Sequence, residues 1–462
     1  MSAHVKLRTH LCSSVGCAVA AMLAMSTLAS AQEASAKDEV FAPTKQSPVF
    51  LPTGSKPLVS FDISWVDPVL KNYYLGDRSN RSVDVINTDS KAVKLIQPIS
   101  ANLPPVPAGQ PNTFVGARGI DSVTHLVCGP PTGGTCVASN DVSGPDGVLT
   151  VDNSQIWVGD GDSRVWVLDA KTGNPVSVPA GATNPISTVR TGSNPNNRAD
   201  ELCFDSADHL VMVANNADSP PFVSIISTQT YKVVKQIAFD GSNGAPKSTN
   251  GVEQCQWSPS TGMFYISIPG VKDPDDGTGA VAVIDPKTGS VVNVFPIPVD
   301  QCAAPQGMAL GPSNQILLGC NAPSPDGHSN TVIINQQTGS VVGRLPDLGG
   351  NDEVWFNPGD GHYFLAGGQN VPNEQLGVVD SNGHRADAIV ITAQNLDTHP
   401  PSARRAHSVA ADLNRNEVYV PIPAVNAAAA PGYSSTLCGT TTAAQAQGCI
   451  AIFSASKNIV QR

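Results

Sequence analysis

Seven short phrases in this chain end on a turn residue and carry a polar side chain near their start: "FDISWVD", "PDGVLTVD", "DELCFD", "VEQCQWS", "PQGMALG", "NDEVWFN" and "RAHSVAAD". Aligned on Asp67, Asp152, Asp205, Ser258, Gly311, Asn357 and Asp412, they place Asp62, Gly147, Asp200, Glu253, Gln306, Asp352 and His407 at one position, with Asp146 immediately before Gly147. If the phrases are arranged about an axis, these side chains converge. Converging carboxylates raise one another's pKa unless a cation or bound water offsets the charge. Asp62, Asp200, Glu253 and Asp352 are therefore the expected ligands of a divalent cation. An all-oxygen donor set, with Asn250 and Asn351 nearby, suits calcium or magnesium better than zinc or copper, and calcium suits a wide, irregular cage best. The competing expectation is that polar residues merely hydrate an axial tunnel.

His407 is the single imidazole of the ring, a residue type suited to general-base chemistry near neutral pH. Arg404 and Arg405 lie just upstream, placed to hold an anionic or carbonyl group, and Asp146 and Gln306 complete the expected ligand contacts. A histidine hydrogen-bonded to a neighbouring acid is the plainer reading. Glu201 and Glu353 each follow a ring residue, and regular strand alternation predicts that they face away from the axis. No G-x-S-x-G elbow, H-E-x-x-H pair or phosphate-binding loop of the Walker type occurs.

The elements that must position these residues show as a repeat of apolar strand, turn and second apolar run. It reads "RSVDVINTDSKAV", "RVWVLDAKTGNPV", "FVSIISTQTYKVV", "AVAVIDPKTGSVV", "NTVIINQQTGSVV", "QLGVVDSNGHRADAIV" and "CIAIFSASKNIV". Val and Ile favour strands, and D-P-K-T-G supplies a turn in which Pro286 presets φ and Gly289 is free to turn left-handed. The repeats recur roughly every 45 to 82 residues, which leaves room for four strands in each. Seven such units make an all-β, seven-bladed β-propeller of four-stranded antiparallel blades around an axial channel, an architecture that protects strand edges by repetition. The domain is expected over 58–462, with insertions at about 100–145 and 424–448, after an extension at 32–57.

Composition bounds what the propeller can do. The 462 residues include 41 Gly and 38 Pro but are only 14% charged, the profile of a turn-rich globular chain. A net charge of -11 disfavours nucleic acid and anionic membrane surfaces as partners. Lys6, Arg8, an apolar run and Ala29-Ser30-Ala31 resemble a signal peptide over 1–31, which predicts a secreted or periplasmic protein with no membrane span. Cys12 and Cys17 would leave with that segment. The remaining cysteines are even in number and lack any C-x-x-C pair, so disulfides are expected rather than zinc. Eight cysteines allow 105 pairings, which sequence alone does not settle; Cys128 with Cys136 and Cys438 with Cys449 suggest themselves as local pairs, and the strand phase is compatible with Cys203 meeting Cys255 between neighbouring blades, which would leave Cys302 for Cys320.

The hairpin phrase resembles the YVTN-type propellers, and "GNDEVWFNPGDGHYFLAG" and "VEQCQWSPSTGMFYISIPG" are similar to inner-strand phrases of NHL and gluconolactonase-type propellers. The resemblance covers most of residues 58–454. It implies the propeller fold, while the acidic ring and the disulfide-stapled insertions lead to the expectation of a propeller that binds a divalent cation and a small molecule or protein partner at its channel. It also implies, as an alternative, a metal-dependent lactonase, esterase or lyase in which His407 or Glu253 activates water. Fold resemblance hosts many functions and names no substrate.

Overall fold

The computed structural model describes residues 39–100, 112–129, 134–367, 375–383, 385–390, 407–424 and 436–457. Val, Ile, Tyr and Phe runs broken by Asx-type turns leave the chain little choice but strand and hairpin. In the turns, Asn87 Oδ1 accepts from the backbone N–H of Asp89 and Ser90, and Asn335 Oδ1 from Gln337 and Thr338. Asp169 and Asp285 do the same from Thr172 and Lys287. The turn residues are thus consumed by local backbone geometry.

The described strands form seven four-stranded antiparallel sheets and one three-stranded sheet. The innermost strands are Ser64–Asp67, Val148–Val151, Leu202–Asp205, Cys255–Ser258, Ala303–Leu310, Asn351–Asn357 and Ala410–Asp412. Each touches the next, and the last touches the first. The hydrophobic core repeats the pattern: seven buried clusters lie one between each pair of neighbouring sheets, the last joining the seventh to the first through Phe61, Tyr73, Tyr419 and Ile452. A sheet buried on both faces reads as an apolar run, as "RVWVLD" and "AVAVID" do. The fold is an all-β propeller.

Ring closure is made by a segment expected to lie outside the domain. Glu39–Pro43 pairs with Cys449–Lys457 and is the outermost strand of the seventh sheet, whose other three strands come from the C-terminal end. Joining the two ends of the chain in one sheet offsets the open edge that a ring of sheets would otherwise leave. The sequence "EVFAP" is short and carries no repeat signature, so its pairing is decided only by the partner strand.

All four expected disulfides are present: Cys128–Cys136, Cys203–Cys255, Cys302–Cys320 and Cys438–Cys449. Cys203–Cys255 bridges the third and fourth sheets within their shared core. Four disulfides suit an oxidising compartment outside the cytoplasm. Among the described residues no helix is long and apolar enough to cross a membrane. The first insertion builds the three-stranded sheet Gly116–Asp121, Val127–Cys128 and Cys136–Gly144, and the second carries a short helix at Thr442–Gln445.

Candidate functional site at the axial mouth

In six of the seven sheets the ring residue sits on a β-bulge at the entry to an inner strand. Asp62 donates its N–H to Gly76 O while Ile63 O accepts from Gly76, so two residues face one. Asp146 and Gly147 share Gly159 in the same way, Asp200 and Glu201 share Ala214, and Glu253 and Gln254 share Ser267. In the fifth and sixth sheets the register slips so that Gln306–Gly307 and Asp352–Glu353 are the extra residues. The strands converge tightly here. A Cβ on Gly76 would lie 2.4 Å from Asp146 O, so only glycine lets the first and second sheets meet.

The bulges correct two expectations. In the second sheet the equivalent of Asp62 is Asp146 rather than Gly147, because the inner strand ends at Val151 and both Asp152 and Asn153 turn with positive φ (50° and 49°). The alignment on Asp152 was out of phase by one residue. Glu201 and Glu353 do not turn away from the axis either, because a bulge cancels strict alternation. Glu201 lines the axial cavity. Glu353, from the sixth sheet, reaches Ser64 of the first and Ser408 and Val409 of the seventh.

The cavity at this mouth encloses about 340 Å³ and is lined by Asp62, Arg78, Arg198, Asp200, Glu201, Glu253, Asp352 and His407, with Asn140 of the first insertion at its rim. Gln306 is not among its lining residues; the Gln306 Oε1 atom is buried without a hydrogen-bond partner. Arg404 and Arg405 lie outside the described residues. Gln254 ties the fourth sheet to the next two: its Oε1 accepts from Met308 N at 2.6 Å and Val354 N at 3.2 Å. Trp65 of the first sheet donates to Thr150 Oγ1 and packs edge-on against Trp355 of the sixth, a pairing of sheets that are not neighbours.

Two arginines that the alignment did not single out organise one side of the cavity. Arg78, at the end of the second strand of the first sheet, donates from Nε to Asp146 Oδ1 at 2.7 Å and from Nη1 to Phe61 O at 3.3 Å, and its Nη2 meets Asp62. Arg198, two residues before Asp200, lies 2.8 Å from Asp200 Oδ2 and 3.2 Å from Asp62 Oδ2. Arg198 could have been found, since it holds the place relative to Asp200 that Arg405 holds relative to His407. Asp62 also meets His407 Nε2 at 3.0 Å, and the imidazole stacks on Phe61 with ring centres 5.3 Å apart.

Charge follows from these contacts. Burial works against the ionised form of Asp62, but Arg78, the His407 hydrogen bond and Arg198 together hold it below the usual carboxylate range. Asp146 shares Arg78 yet is driven upward by its complete enclosure. Burial lifts Asp200 to about 7 against the pull of Arg198. For His407, burial favours the neutral ring, and the hydrogen bond and charge of Asp62 outweigh it, so its pKa rises.

The other side has no such cations. Among the described residues no guanidinium or ammonium lies within ion-pair distance of Glu201, Glu253, Asp352 or Glu353. Burial raises Glu253, and the charges of Asp352 and Asp200 raise it further, against Arg198 and a hydrogen bond from Asn216. Burial and four neighbouring carboxyls raise Glu201. Asp352 is raised by burial, with His407 opposing. Glu353 is pushed by burial to about 8, although Ser408 Oγ (2.5 Å) and Val409 N (3.0 Å) donate to it. The donor chemistry on this side, oxygen only and short of positive charge, fits a hard divalent cation.

The fold and this cavity define a class: a β-propeller with a polar, acidic chamber at one axial mouth. No family model matches the chain, and no curated protein matches it. Among solved structures, a chain of the mitotic checkpoint complex aligns with 14% identity over 82% of this chain and 92% of that one, at a TM-score of 0.48. The structure of U3-55K aligns with 11% identity over 89% of this chain and all of that one, at a TM-score of 0.54. The second likeness supports the propeller fold, and at that identity it speaks to the fold alone.

Proposed function

We propose that this is an exported propeller that binds a divalent cation, calcium by preference, together with a small molecule or partner at its acidic axial chamber. One observation carries the reading: the carboxyl groups of Glu201, Glu253 and Asp352 converge with no guanidinium or ammonium in ion-pair distance among the described residues, beside a sister trio that has two arginines. Glu253 and Asp352, still partly open to the chamber, would hold the ion, with Glu201 beneath. Calcium tolerates an irregular oxygen cage of this kind. The resemblance of the hairpins to YVTN propellers, and of the inner strands to NHL and gluconolactonase-type ones, agrees with a small-molecule site.

Calorimetric titration of the mature protein with calcium chloride tests this. The expected result is about one ion per chain, with binding abolished in the E253Q/D352N double variant. No heat and no thermal shift with calcium or magnesium would reject the reading.

A second reading, metal-dependent hydrolysis of a lactone or ester, is favoured by the His407–Asp62 contact at 3.0 Å. A bound divalent ion polarises a carbonyl. His407, oriented by Asp62 and Phe61, would accept a proton from water. Because Asp62 raises the His407 pKa, the hydrolytic rate would climb with pH as the imidazolium deprotonates. A panel of lactones and esters with H407A as control separates this from binding alone.

A further inference from the structure

Arg78 and Arg198 serve the same carboxylates in different ways. Arg78 has a side chain 1% exposed, and its contacts come from both ends of the guanidinium: Nε and Nη2 on Asp146, Nη2 on Asp62 and Nη1 on the Phe61 carbonyl. It is built into the wall. Arg198 is 13% exposed at the chamber side, approaches from a loop, and holds Asp200 at 2.8 Å and Asp62 at 3.2 Å, while Asp146 is 3.9 Å away. Its Nε donates to Asn216 Oδ1 at 3.2 Å, and Asn216 stands next to Glu253. Arg198 is therefore the looser cation, adjoining through Asn216 the half of the chamber that has no ion pair among the described residues.

Under these guanidiniums lies an assembled oxygen set. Asp62, Asp146 and Asp200 each offer a carboxylate oxygen within 4.8 Å of the others. Asp146 Oδ2 is buried with no hydrogen-bond partner. A divalent ion is compact and doubly charged, whereas guanidinium spreads one charge over a planar fork.

We propose that Arg198 is a built-in competitor for the cation, holding Asp62 and Asp200 until an ion in the chamber displaces its guanidinium and recruits them. The inference rests on the cation-binding reading above. Displacement of Arg198 would be reported by Asn216, whose carbonyl oxygen loses its guanidinium donor while Glu253 turns to the ion.

The test compares wild type, R198K and R198Q, each shown to be folded by cooperative thermal unfolding, in titrations with calcium chloride and by terbium luminescence. Removing one positive charge beside the ion should tighten binding about tenfold or more in R198Q. R198K, whose shorter, compact ammonium reaches fewer of the three carboxylates, should fall between. Without calcium, R198Q should melt below wild type and regain the difference when calcium is added. Should R198Q fail to fold, the wild-type and R198K pair still decides. Equal affinities across folded variants overturn the competitor role and leave cation binding standing. No binding in any of them overturns both.

Discussion

The two halves of the axial chamber face the same electrostatic problem and solve it differently. Asp62, Asp146 and Asp200 converge around Arg78 and Arg198, so their charge is offset by guanidinium within the fold. Glu201, Glu253, Asp352 and Glu353 converge with no guanidinium or ammonium within ion-pair distance among the described residues, and burial drives their pKa values up. A buried carboxyl must have a counter-charge or a proton. The arginine half is held by ion pairs, whereas in the other half burial raises the carboxyls with no such pair among the described residues.

The sharpest way to break this comparison is to remove Arg78. Arg78→Met leaves Asp62 and Asp146 without their enclosed partner and should destabilise the fold by about 3–5 kcal/mol, the scale for orphaning a buried charge. Arg78→Lys should recover only part of that, because the fork to two carboxylates and a carbonyl is lost. Urea unfolding measures both. A cost no larger than that of a surface substitution would show that the trio does not depend on guanidinium.

Next in size is Gln254, which ties the fourth sheet to the fifth and sixth. Gln254→Leu leaves the N–H groups of Met308 and Val354 without their acceptor and should cost about 1–3 kcal/mol. The same unfolding experiment, with the m-value unchanged, checks it. A neutral result would mean that the strut is dispensable and these sheets are held by packing alone.

The smallest effect is the most diagnostic of the half without arginine pairs among the described residues. Glu353 rises from 4.5 to about 8 on folding, so the folded chain binds this proton more tightly than the unfolded one. The stability it confers is complete below about pH 4.5 and is lost as pH rises through about 8. Across that window its contribution should fall by about 1.4 kcal/mol per pH unit at most. Glu353→Gln should change stability at pH 5 by less than about 1 kcal/mol, since the amide mimics a protonated carboxyl, and should flatten the slope between pH 5 and 8. A variant that keeps the wild-type slope would place the titration elsewhere.

Much of the architecture was legible from hairpin phrases such as "AVAVIDPKTGSVV", because strand propensity and turn chemistry act locally. The four cysteine pairings were legible too, since side-chain alternation and neighbouring sheets leave few partners within reach. The ring was partly legible: Asp62, Asp200, Glu253, Asp352 and His407 do line one cavity. Asp146 slipped by one residue because the left-handed turn at Asp152–Asn153 shifted the phase. Glu201 and Glu353 were placed on the wrong side because a β-bulge is a property of two paired strands, and a single strand's sequence does not declare it.

What the sequence by itself determined is therefore the repeating unit: four strands, their turns, and an acidic or amide residue at the start of most inner strands. The tertiary structure decided the rest. It assigned Glu39–Pro43 to the seventh sheet, placed bulges at the entries of six inner strands, and brought Arg78 and Arg198 to Asp62, Asp146 and Asp200. The physical reason is range. Propensity and turn geometry are settled within a few residues, whereas the charge state of a carboxyl depends on whichever blades the closed ring brings within a few ångströms of it.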